Sequence, residues 1–341
     1  MGKCIVCSDR TSKISKMSQT AIPVIDLSKA ETDRLQLARC IVEGLESIGF
    51  LYIENIPGID FDMLYKSSKW FFDLPKETKM KLARNQWNTQ NVNIYRGFFP
   101  VIEGETTYME GFEFARDVPL DGDTIAAKNW FYENSVWPDE DGTVPFKTFL
   151  KHMYEIFHNT SLEILRLIAI GLNIDENAFE SLFAEKPCST FRLLHYPRRN
   201  SEPPEHAITE DGKVIIIPEH MDSEMITLLH VFNYNGLEIL DPNGKWIPVP
   251  PRKNSLIMNI GVTFSKMTGN RFKATRHRVF DIGIDRFSVP FFLAPAFNCD
   301  ISLNFMSKQM KDESQHTPEK FGPWLWHRMK HDQKYVEFKD L

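Results

Sequence analysis

From residue 189 onward the chain breaks into short apolar segments, at 191–196, 214–218, 225–230, 237–240, 246–249, 255–260, 274–280 and 287–293. Each is too short for a typical helix, and they are rich in the branched and aromatic side chains that suit a pleated surface. Turn residues part them, Asp241-Pro242-Asn243-Gly244 most plainly. Strands of this length and spacing predict two antiparallel sheets packed face to face, a double-sheet barrel or jelly roll.

The first half reads differently. A short strand over 22–27 precedes a helix over 31–48, where Leu35, Ala38, Ile41, Leu45 and Ile48 follow the helical period. Gly49 ends that helix, 50–53 is a strand, and 61–70 is helical again. Residues 84–145 hold short strands at most. A long helix is expected over 146–169 with Gly171 as its stop, and a closing helix over 318–335. The fold class is therefore mixed α/β (α+β). A tail (1–20) leads into one domain (21–341), made of a helix-rich region (21–185), a jelly-roll core (186–300) and a C-terminal closing segment (301–341).

Composition narrows the partners. The chain has 341 residues, 42% hydrophobic and 25% charged, which is ordinary for a soluble globular protein with a sizeable core. A net charge of −6 without a basic block argues against nucleic acid and against anionic membrane surfaces. No apolar run approaches the ~18–20 residues of a membrane span. Cys4, Cys7, Cys40, Cys188 and Cys299 are odd in number and scattered, so a reducing, cytoplasmic location is expected. Cys4-x-x-Cys7 has no second pair and reads as incidental. Residues 1–20 lack the apolar stretch of a signal peptide, and Val6 stands where a myristoylation motif wants Ser or Thr. The leader reads as a tail ahead of Met17, itself a plausible start.

Chemistry concentrates late in the chain. His220 and Asp222 are two apart, and side chains two apart on a strand share a face. With His277 they form a two-histidine, one-carboxylate set, the pattern of non-haem Fe(II) sites that keep positions open for oxygen. A His-x-Asp pair alone says little, since most are solvated or structurally bonded. Its placement on expected strands, and the Arg286-Phe287-Ser288 that follows, raise it above that. Arg286 and Ser288 again share a face, and a guanidinium beside a hydroxyl suits a carboxylate. His152, His158 and His230 read as packed or structural.

Longer motifs carry a resemblance. They are Ile22-Pro23-Val24-Ile25-Asp26, Gly49-Phe50, Phe72-Asp73-Leu74-Pro75, Tyr95-Arg96-Gly97-Phe98 and Arg192-Leu193-Leu194-His195-Tyr196-Pro197. The segment from His220 to Leu229, Gly236-Leu237, Trp246, Asn259-Ile260-Gly261, His277-Arg278-Val279 and Arg286-Phe287-Ser288 complete the set. Across 22–295 the chain resembles the 2-oxoglutarate-dependent dioxygenase superfamily, in its isopenicillin N synthase-like branch. The resemblance implies a distorted double-stranded β-helix, with Fe(II) on His220, Asp222 and His277, and O2 and 2-oxoglutarate as co-substrates. It also implies Arg286 on the distal carboxylate, assisted by Ser288 and Tyr196. Leu194 stands where plant members often have Asn, which removes one co-substrate contact, and Val262 stands where an acidic residue is usual.

The expected activity is oxygenation of a small molecule by hydroxylation, desaturation or ring closure, giving succinate and CO2. A second reading is an oxidase without 2-oxoglutarate, in which Arg286 and Ser288 grip a carboxylate of the substrate. A third is a non-catalytic binder of iron or a small acid. By position, Tyr95, Arg96, Phe98, Phe99, Phe297 and Phe305 are candidates for the substrate wall, with Arg96 reading as a contact for an anionic group. A monomer is expected.

Overall fold

The computed structural model describes residues 22–117, 130–184, 186–302 and 318–330. The tail with Cys4 and Cys7, Phe305, and 331–335 of the expected closing helix lie outside the described residues. In chain order the strands are β1 (Val24–Asp26), β2 (Phe50–Glu54), β3 (Gly97–Phe99), β4 (Glu110–Phe114), β5 (Thr190–Tyr196) and β6 (Ile215–His220). They continue with β7 (Ile226–His230), β8 (Leu237–Leu240), β9 (Trp246–Pro248), β10 (Ser255–Ile260), β11 (His277–Phe280) and β12 (Arg286–Leu293). A large sheet runs β1-β2-β10-β7-β12-β5-β4-β3, and a small one runs β6-β11-β8-β9. This is the jelly roll the strand spacing called for.

Alternation divides the large sheet into two faces. On the outer face Phe112, Phe191, Leu193, Phe291 and Leu228 join an apolar cluster with Ile41, Phe71, Phe146, Phe157 and Ile168 from the helices. On the inner face Phe50, Tyr52, Leu194, Tyr196 and Ile257 meet Ile217, Ile239 and Val279 of the small sheet. Helices thus brace one side of the large sheet and leave the other to form an interior between the two sheets.

The helices obey local chemistry. Asp60 caps Phe61–Asp73 by accepting a 2.8 Å bond from the Met63 amide. The helix Arg34–Ser47 buries Leu37, Ala38, Ile41 and Leu45, while Leu35 is 53% exposed and lies off the stripe that its spacing suggested. The long helix is Phe146–Gly171, and Gly171 is its last residue rather than its stop. The stop is Asn173, in the left-handed conformation at φ 58°. The Ile174 amide reaches back to the Ala169 carbonyl and the Asn173 amide to that of Ile170, a Schellman ending. Gly171 serves packing instead, because a Cβ there would lie 2.5 Å from the Ala38 carbonyl of the neighbouring helix. No helix among the described residues is long and apolar enough to cross a membrane.

Candidate metal centre

His220 and His277 face each other directly across the β6–β11 ladder, with ring centres 4.2 Å apart. β6 ends at His220, so Asp222 lies just past the strand and not on it as its spacing suggested. What brings Asp222 in is the large sheet. Its Oδ2 accepts from Asn259 Nδ2 at 2.7 Å and from Thr227 Oγ1 at 2.5 Å, and those two residues are partners across β10 and β7. Its Oδ1 is left facing the histidines, 3.7 Å from His220 Nε2 and 3.6 Å from His277 Nε2. Ligand atoms of all three residues lie within 4.8 Å of one another.

The imidazoles are oriented by backbone. His220 Nδ1 lies 2.9 Å from the Pro218 carbonyl and His277 Nδ1 3.2 Å from that of Thr275. A proton held at Nδ1 leaves Nε2 as a lone pair for a metal. Burial alone would raise the Asp222 carboxyl; His277, His220, Asn259 and Thr227 outweigh it and hold the acid below its ordinary value. Glu224, two residues on, is pushed up to about 7 by burial first and by Asp222 next. Two imidazole nitrogens and a carboxylate oxygen, each already oriented, fit Fe(II) with open positions.

The turn 222–225 rests against the start of the helix Val262–Met267. The Val262 amide bonds to the Asp222 carbonyl at 2.8 Å, and that of Gly261 to the Met225 carbonyl at 2.9 Å. A Cβ on Gly261 would lie 2.0 Å from the Glu224 carbonyl, a clash with backbone that no rotamer relieves. Gly261→Ala is expected to cost about 1–3 kcal/mol of stability and to weaken metal binding by shifting the turn. Thermal unfolding and metal titration of the variant check this, and unchanged values in both would show that the turn yields freely.

Arg286 and Ser288 point inward from β12, opposite Tyr196 and Leu194 of β5. The guanidinium carbon of Arg286 sits 4.0 Å from the Tyr196 ring centre, and the Tyr196 hydroxyl lies 3.3 Å from Ser288 Oγ. Arg286 is 3% exposed, yet its Nε and Nη2 have no hydrogen-bond partner among the described residues. Burial pulls its pKa below the ordinary arginine value. A buried guanidinium with an unmade fork is costly, and a carboxylate is the group that satisfies it.

The substrate candidates divide by face. Phe99 shares the inner face with Gly111 and Leu194. Phe98 pairs with Phe112 and packs on Phe71 among the helices, so it is not a wall residue. Arg96 is corrected as well. It is 1% exposed, and its guanidinium donates to the Phe131 and Glu133 carbonyls while the Glu133 carboxylate receives the Ile94, Tyr95 and Arg96 amides. Its guanidinium is taken up in tying the 94–96 segment to the 131–133 turn. Tyr95 lies 4.9 Å from Trp130 and within 5.6 Å of the Arg84 guanidinium. Phe297 packs on Phe131, and its carbonyl accepts from Gly322 of the helix Phe321–Lys330. Sequence reasoning passed over Thr227, Asn259 and Glu224 around the metal ligands, and Arg84, Glu113 and Arg192 further along the inner face. Arg192, Asn259 and the segment 220–229 stand in the motifs of the resemblance, and Arg192 also precedes Tyr196 by an even number on one strand.

Comparisons with known proteins agree with this geometry. Residues 22–140 match the family "non-haem dioxygenase in morphine synthesis N-terminal", and 188–295 match the 2OG-Fe(II) oxygenase superfamily. A probable iron/ascorbate oxidoreductase of Dictyostelium discoideum is 30% identical over 323 residues, covering 84% of this chain and 85% of that one. Isopenicillin N synthase of Streptomyces clavuligerus is 27% identical, with 92% and 96% covered. Among solved structures, a full-length Neurospora crassa protein in complex with alpha-KG superimposes with a TM-score of 0.74 at 28% identity, covering 90% of this chain and 95% of that one.

Proposed function

We propose, because the chain belongs to the 2OG-Fe(II) oxygenase superfamily, that it hydroxylates a small molecule and releases succinate and CO2, with desaturation or ring closure as variants of the same chemistry. It is an enzyme, its metal is Fe(II), and its co-substrates are 2-oxoglutarate and O2. In this reading His220, Asp222 and His277 hold the metal, while Arg286, Ser288 and Tyr196 hold the far carboxylate of 2-oxoglutarate. The observation that carries it is the unmade fork of Arg286, buried on the same interior that receives the three ligand residues.

When bound, Fe(II) with 2-oxoglutarate and O2 supplies the oxidising chemistry. The chain's own work is placement. Asn259 and Thr227 occupy one carboxylate oxygen of Asp222 and leave the other for the metal. The ladder from β12 to β5 sets Arg286 opposite Tyr196 and Ser288 opposite Leu194, with apolar side chains flanking them. Relatives are named for unlike substrates, among them isopenicillin N synthase and 1-aminocyclopropane-1-carboxylate oxidase, and one structure of the Neurospora crassa protein holds thymine, so likeness alone does not pick the substrate.

The test is succinate formation that requires both added Fe(II) and 2-oxoglutarate. Oxygen uptake with iron but without 2-oxoglutarate would instead assign the fork to a carboxylate on the substrate. Tyr196→Phe and Ser288→Ala are each expected to weaken 2-oxoglutarate binding by about 0.5–1.5 kcal/mol, or severalfold, with iron content unchanged. Calorimetric titration of the metal-loaded variants reads this directly, and an unaltered affinity in both would remove these hydroxyls from the clamp.

A further inference from the structure

The inner face of the large sheet continues past the clamp. Counting back by twos from Tyr196 along β5 reaches Leu194 and then Arg192, whose partner on β4 is Glu113. Glu113 is wholly buried. Its Oε2 accepts from Arg192 Nε at 2.8 Å, and it lies 2.6 Å from Arg192 Nη2 and 3.0 Å from Arg84 Nη2. Its Oε1, and Arg84 Nε, have no hydrogen-bond partner among the described residues. A carboxylate that gathers two guanidiniums on one oxygen in a dry wall is a poor stability device, because such groups are expensive to bury. It is a good way to hold a guanidinium still.

That wall adjoins the metal. The guanidinium carbon of Arg192 is 5.1 Å from the Phe292 ring centre and 5.8 Å from that of Phe99, and Arg84 lies 4.9 Å from Phe99. Phe292 pairs across the ladder with Thr227, the residue bonded to Asp222. The Arg192 side chain is 16% exposed, against 5% for Arg84 and 0% for Glu113, so it is the most accessible member of the cluster.

We propose that Arg192, positioned by Glu113 and Arg84, selects the substrate, and that the substrate is a small flat molecule bearing a carbonyl or carboxylate oxygen. A guanidinium only donates, so its partner must be an acceptor. Aromatic rings on either side favour a planar body stacked beside it. This inference rests on the interior being the Fe(II) and 2-oxoglutarate site described above.

The experiment uses the full chain loaded with Fe(II) and saturating 2-oxoglutarate without oxygen, so that Arg286 is already occupied. Calorimetry then follows thymine, 4-methylbenzoate and, as a flat probe whose polar group is cationic and lacks an acceptor oxygen, 4-methylbenzylamine. At least one acceptor probe is expected to bind and the amine is not. Arg192→Met should weaken the binding roughly tenfold or more, with Arg192→Lys between it and the parent. Glu113→Gln should also weaken it while metal and 2-oxoglutarate stoichiometry stay at one. If Glu113→Gln does not fold, the Arg192 pair decides alone. Unchanged affinity in Arg192→Met, equal binding of the amine, or no binding of either acceptor probe overturns the proposal. Failure of the parent chain to take up Fe(II) and 2-oxoglutarate would strike the underlying reading instead.

Discussion

His220→Ala is expected to yield a folded protein without stoichiometric iron and with turnover reduced by more than roughly 100-fold, beyond the 10–100-fold typical of residues that only orient a ligand. The His220 side chain is 41% exposed at the end of β6, so its removal opens no cavity in the core. Asp222→Ala would be a less clean experiment. It strips Thr227 and Asn259 of their shared acceptor and leaves buried donors unpaired, which lowers stability as well as metal affinity. Metal analysis beside a thermal melt separates the two effects. Stoichiometric iron in folded His220→Ala would end the three-residue metal site.

Arg286→Lys is expected to weaken 2-oxoglutarate binding by about 10–100-fold although the charge is kept, because a carboxylate on a fork loses a charge-assisted hydrogen bond and its planar partner. Stacking on Tyr196 is lost with it, since an ammonium has no plane to lay on the ring. The measurement is the 2-oxoglutarate dissociation constant of the metal-loaded variant. An unchanged constant would show that the fork serves another molecule.

Much of this was legible in the sequence, and the failures share a cause. Strand spacing yields the two sheets because period-two alternation and turn residues are local signals. Arg286 and Ser288 share a face for the same reason, whereas Tyr196 enters only through the resemblance and is found opposite Arg286. Asp222 was found by a faulty route. Its spacing from His220 suggested one strand face, whereas Asn259 and Thr227 on distant strands hold it in place. Arg96 shows the opposite error. Its position in the front segment and its charge suggest a substrate contact, but beside Gly97, at φ 111°, strand alternation gives no guide to where it points. Arg84 carries no local signal at all, because only the folded chain brings it to Glu113 across unrelated sequence. Side chains set by a regular period could be read, and those set by tertiary contact could not.

The order of the large sheet has a consequence for how such enzymes diversify. β12 and β5, which carry Arg286, Ser288 and Tyr196, lie inside the sheet, while β3, which carries Phe99, is its last strand. A strand at a margin answers to one neighbour only, and the loops around it tolerate change. Mutation can therefore remodel what is recognised at that margin while inheritance preserves the oxidising apparatus next to it. A lineage that duplicates this fold can vary that rim without disturbing the strands inside the sheet.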